Sequence, residues 1–156
     1  MSDPVEANTS YLLRGTLLPR SHNSHTTLIL TSTASATFDP RINTNNFSQR
    51  AYISSVGRVT ECHFSHQEHR WIVRARHRDY DPILTTVYQD RNIVNFDVEY
   101  TLQRATMREI GLELFAIGNI LGFNGRIFGY DQGHGRWIIH LTEAEPMQPW
   151  ALEFNV

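Results

Sequence analysis

The chain contains no lysine: all fourteen of its Lys and Arg positions are arginine, although lysine is ordinarily among the commonest residues. That absence excludes Schiff-base chemistry, a lysine nucleophile or base, and the phosphate-binding lysine of a P-loop. Pyridoxal enzymes and nucleotide triphosphatases are thereby set aside. It also removes the usual attachment point for ubiquitin, which would suit a pathogen- or virus-derived factor working in a host cytosol. Cysteine is nearly missing too, since Cys62 stands alone. An intramolecular disulfide framework and a cysteine-cluster metal site are both excluded. No segment is apolar for long enough to span a bilayer, and the opening MSDPVEANTS lacks the basic and apolar regions of a signal peptide. The expectation is a cytoplasmic protein with no membrane partner. There is also no G-x-S-x-G elbow, glycine-rich phosphate loop, dinucleotide or kinase motif.

What is present fits one domain over residues 1–156 with a polar leader at 1–9, a length at which folding buries roughly two thirds of the unfolded surface. Helical periodicity occurs only between Thr106 and Gly122. Thr106 and Glu109 have the form of a capping box, and Met107, Ile110, Leu114, Ile117 and Leu121 fall on one stripe. The pattern predicts a helix over about 107–121, closed by Gly122, with Gly111 and Gly118 facing the stripe so that another backbone can approach. Its other face carries Leu112 and Ile120 among polar residues, which predicts a homo-oligomer, a homodimer in the simplest case, joined through that face.

The rest reads as strands and turns. Tyr11 to Leu18 and Thr26 to Phe38 form a first hairpin, and Gly57 marks a bulge or bend within Arg50 to Ser65. A turn at Gln67-Glu68 sets Cys62 opposite Val73, Phe64 opposite Trp71, Glu61 opposite Arg74 and Ser65 opposite Arg70, a register in which both faces make chemical sense. Thr85 to Tyr88 pairs with Ile93 to Leu102, whose even positions face inward. After the helix, Asp131 opposes Arg136, Tyr130 opposes Trp137 and Phe128 opposes Ile139. A last strand follows Pro149. The expected fold is α+β, predominantly β: an antiparallel meander of about 8–10 strands in a curled sheet or barrel with one long helix.

Among candidate chemistries, His63, His66 and His69 do not converge in that register, so no metal site is expected. Arg70, Arg74, Arg76 and Arg78 share a strand face, where they could hold an anion or form a cross-strand ladder with Glu61, Asp97 and Glu99. The net charge of −2 and the lack of a DNA- or RNA-binding signature argue against a nucleic-acid partner. The strands flanking the helix supply an apolar cavity lining of Phe96, Tyr100, Phe128 and Trp137, with His140 as general base and Tyr130 or Asp97 as acid or orienting partner. The function expected is therefore a small-molecule-binding barrel for a largely apolar ligand, acting either as a carrier or as an isomerase, cyclase or dehydratase with no cofactor. The alternative is a non-enzymatic protein-interaction module.

Overall fold

The computed structural model describes residues 51–80 and 93–148, together with the short strands Ser10–Tyr11 (β1), Gly15–Pro19 (β2), Thr26–Leu30 (β3) and Thr37–Phe38 (β4). The chain divides into two compact units, Met1–Ser48 and Gln49–Val156. In the first unit β1 pairs with β4 and β2 with β3, both antiparallel, the second pair being the first hairpin read from the sequence. The second unit contains β5 (Tyr52–Ser65), β6 (Arg70–Tyr80), β7 (Ile93–Leu102), the helix α1 (Arg104–Ile110), a 3-10 turn (Leu112–Phe115), β8 (Ile120–Asp131) and β9 (Arg136–Pro146). The predominantly β, α+β class holds, and the five strands close into a barrel in the ring order β5-β6-β7-β9-β8.

Closure depends on the length of β5. Its first half pairs with β8, from Tyr52 with Arg126 to Arg58 with Ile120, and its second half pairs with β6. Gly57 belongs to both ladders. A Cβ there would stand 2.6 Å from the imidazole of His77, so only glycine lets that ring lie against the strand. The irregularity expected at Gly57 lies between Val59 and Glu61 instead. There Val59 turns its backbone to the segment before β8, donating to the Asn119 carbonyl at 2.9 Å and accepting from the Gly118 amide at 2.8 Å.

The β5–β6 register agrees at all four pairs with the one read from facing charges and aromatics. In the β8–β9 hairpin, Asp131–Arg136 and Tyr130–Trp137 pair as expected, but a register shift between Ile127 and Gly129 puts Ile127, not Phe128, opposite Ile139. Phe128 is thereby turned outward and is 60% exposed. Two pairs depart from the meander: β8 returns to β5, and β9 lies parallel to β7, from Val98 with Trp137 to Thr101 with His140. The hairpin partner expected at Thr85–Tyr88 and the last strand after Pro149 lie outside the described residues.

The long helix is corrected. The α-helix ends at Ile110, because Gly111 takes φ +98° while its amide bonds to the Met107 carbonyl at 2.8 Å. Gly118, at φ +95°, blocks any resumption. The helix begins after Gln103 with no side-chain cap, so Thr106 and Glu109 do not form a capping box. Ile120, Leu121 and Gly122 belong to β8. The apolar repeat spans unlike elements that are buried for separate reasons: Met107 on the helix and Leu121 on β8 are at most 4% exposed, Ile110 and Leu114 are half-buried, and Ile117 between them is 75% exposed. The proposed oligomer face dissolves with it, since Ile120 is buried in a strand while Leu112 is exposed on the turn.

Candidate functional site

The barrel interior is filled by side chains. Val59, Val73, Ala75, Val98, Tyr100, Leu102, Leu121, Phe123, Ile139 and Leu141 form one buried cluster, which Met107 and Phe115 close at one end. Tyr100 stacks on Phe123 with ring centres 4.3 Å apart and planes 9° apart. The polar groups that enter this core are consumed by one another. The His77 Nδ1 lies 2.8 Å from the Val56 carbonyl and must donate to it, which leaves Nε2 to accept from the Tyr100 hydroxyl at 3.0 Å. The Tyr100 oxygen in turn lies 2.9 Å from Ser55 Oγ. Burial pushes the imidazole down to about 4 and the phenol upward, so both are neutral at pH 7. Phe96, half-buried, stacks on the His77 ring at 5.4 Å.

The residues expected to share a catalytic cavity are therefore dispersed. Asp97 is on the outside of β7, accepting from Arg76 Nε at 3.0 Å and Nη2 at 3.2 Å. Tyr130 meets Trp137 edge to face at 5.0 Å, whereas His140 faces outward from β9 with Nδ1 2.7 Å from Thr101 Oγ1. Of the expected set, the structure brings together Phe128 with His140, Tyr130 with Trp137, and Phe96 with Tyr100 through His77. It does not assemble His140, Tyr130 and Asp97. The arginine face of β6 proves to be largely an ion-pair ladder: Arg74 bridges Glu61 and Glu99, and Arg76 holds Asp97. Among the described residues no group of three or more His, Cys, Asp or Glu side chains could hold a metal ion.

A different constellation stands on the outside of the barrel. Tyr52, Arg126 and His140 are register neighbours across β5, β8 and β9, and His140 pairs onward to Thr101 on β7. The bulge sets Phe128 beside them, its ring centre 4.2 Å from that of His140. Tyr52 is 70% exposed and the Arg126 guanidinium lies 5.9 Å from its ring centre. Arg126 is the register partner of His140 on β8, and Arg70 stands two residues before Ile72, which pairs with Thr101 beside His140; desolvation, and then the charges of these two arginines, lower the His140 pKa. This face thus offers two exposed aromatic rings, a half-buried imidazole and two arginines. Tyr52 and Arg126 were missed in the sequence because only the long-range β5–β8 register brings them together.

The ring order, numbered from β5 as one to five, is 1-2-3-5-4 with a helix between the third and fourth strands. That is the arrangement of the OB-fold, a five-stranded Greek-key barrel. No protein-family model matches the chain, and no curated protein matches it in sequence. Among solved structures it is similar to PriB from Ralstonia solanacearum, at 15% identity over 62% of this chain and 97% of that one, with a TM-score of 0.37. It is also similar to the dimeric N-terminal domain of PriB from Thermoanaerobacter tencongensis, at 11% identity over 64% and 99%, with a TM-score of 0.39. Two expectations are corrected. The barrel for an apolar small molecule, and with it the isomerase, cyclase or dehydratase, gives way because the interior is filled by packed side chains and its polar groups bond to one another. The argument against nucleic acid gives way because net charge averages over the molecule, whereas Arg126 and Arg70 stand on one face beside exposed rings. The interaction-module alternative loses the helix face that supported it.

Proposed function

We propose that the outer barrel face around Phe128 binds single-stranded nucleic acid, with bases stacking on Phe128 and Tyr52 and phosphates held by Arg126 and Arg70. The observation that carries this reading is the exposed Phe128 ring, set outward by a bulge against His140 and flanked by Arg126 and Tyr52. Stacking platforms beside cations are what strand binding without sequence preference needs, because every base has a π-face and every linkage a charge. The ion-pair ladder bears on where the strand runs. Arg74 and Arg76 are already neutralised by Glu61, Glu99 and Asp97, and Arg70 meets Glu68 at 3.6 Å in an exposed pair that a phosphate would have to displace, so the phosphate path favours Arg126 and the β8–β9 side of the face.

The test is a fluorescence-anisotropy titration with labelled oligo-dT and oligo-rU at low and moderate salt. Binding should weaken with salt, and Phe128→Ala should weaken it about tenfold, as expected for loss of a stack worth about 1–3 kcal/mol. Arg126→Gln should reduce the salt slope by about one phosphate contact. A wild-type protein that binds neither strand at low salt would refute the reading.

A further inference from the structure

A second built site lies where the β5–β6 hairpin meets α1. A cleft of about 580 Å³ opens there, lined by Phe64, Trp71, Arg104, Met107, Arg108 and Leu112 among others, a size in the range of small-molecule sites. The Arg104 guanidinium sits over the Phe64 ring at 4.5 Å, and Phe64 meets Trp71 edge to face at 5.6 Å. Both rings are half-buried, so part of each faces the cleft. Arg104 and Arg108 stand one helical turn apart. Among the described residues neither has a carboxylate partner. A guanidinium stacked on a ring still presents its N–H donors in its own plane, the geometry that receives a phosphate. Arg70 is the first residue of β6 and Trp71, next to it, turns its side chain to the opposite face and into the cleft, so a strand passing Arg70 enters the cleft by rounding the end of β6.

We infer that this cleft takes one nucleotide of the bound strand, its base against Trp71 and Phe64 and its phosphate between Arg104 and Arg108. The inference rests on the outer-face reading and extends the path beyond it. Aromatic surface with two arginines that have no carboxylate partner among the described residues suits a planar base carrying an anion better than an apolar ligand alone. Glu113, also at the rim, disfavours a second phosphate there and limits the cleft to one nucleotide.

The experiment is a length series of oligo-dT, from about four to about sixteen nucleotides, the range of strand lengths such a barrel covers. Each is titrated against wild type, Phe128→Ala, and the double variant Arg104→Gln, Arg108→Gln, with the folds compared by circular dichroism. Wild type should gain about tenfold in affinity over a step of one or two nucleotides as the strand reaches the cleft. The double variant should lose that step and keep the affinity for short strands; Phe128→Ala should weaken all lengths and keep the step. Quenching of tryptophan fluorescence should begin at the same length in wild type and be reduced in Trp71→Leu. A double variant identical to wild type at every length, with Phe128→Ala still weakened, overturns the cleft and leaves the outer face intact. No binding by wild type at any length overturns both.

Discussion

Lowering the pH from 7 to 4 should destabilise the barrel through one buried histidine. His77 is 2% exposed, holds its Nδ1 proton on the Val56 carbonyl and accepts the Tyr100 hydroxyl at Nε2, so every ring nitrogen is committed to the neutral form. Desolvation lowers its pKa from 6.5 to about 4, while hydrogen bonding to Val56 and the charge of Asp97 oppose the shift. The unfolded chain takes up the proton near 6.5 and the folded chain only near 4, so between these values the unfolded state binds more protons and stability rises with pH. The contribution is fully present above 6.5 and is lost as pH falls through about 4. At 1.36 kcal/mol per pH unit, the interval corresponds to about 3 kcal/mol. His140, half-buried and with its pKa also lowered, acts in the same direction, and Asp131 acts at lower pH, where its depressed carboxyl titrates. Urea unfolding at constant ionic strength, at intervals from pH 7.5 to pH 4, measures the loss. The imidazole proton resonances give the site directly. Stability flat between pH 6.5 and 4.5, or a His77 resonance titrating near 6.5, would refute the assignment.

Other outcomes follow from the same packing. Gly57→Ala should cost about 1–3 kcal/mol, because its Cβ would overlap the His77 ring held on the other side by Phe96 and Tyr100; an unchanged thermal midpoint would show that the ring can move. Phe115→Ala should cost about 3–5 kcal/mol in denaturant unfolding, since a side chain 1% exposed leaves a cavity under α1. Thr106→Ala should stay within about 0.5 kcal/mol of wild type, because its hydroxyl caps nothing; a loss near 1 kcal/mol would restore the capping box. Asp97→Asn should leave the urea midpoint at pH 7 nearly unchanged, its pair with Arg76 being solvent-exposed.

How much of this was legible follows from the range of each interaction. The β5–β6 register could be read because Glu61, Arg74, Phe64 and Trp71 are close in sequence and a one-residue slip would have exposed the aromatics. The inward set on β7 followed from strict alternation, and Val98, Tyr100 and Leu102 are indeed buried. The same alternation places His77 inward with Val73 and Ala75, a signal present in the sequence that went unused. The helix was misread because periodicity does not register backbone sign: Gly111 and Gly118 look like close-approach glycines until their positive φ is known. Ring closure and the parallel β7–β9 pair were not legible, because they depend on β8 crossing to the far edge of β5. The outer face was hidden for the same reason. Phe128 read as inward from hairpin spacing alone, and the register shift that turns it out leaves no mark in the residue pattern.

The central claim is that ligand meets the outside of the barrel, at Phe128, and not its interior. Backbone amide chemical shifts recorded during titration with an oligo-dT of about eight nucleotides test it most directly, that length lying within the range one such barrel covers. The account predicts the largest shifts at Tyr52, Arg126, Phe128 and His140, with Val73, Val98 and Phe123 unchanged. Shifts confined to the interior set, or none at any concentration at low salt, would contradict it.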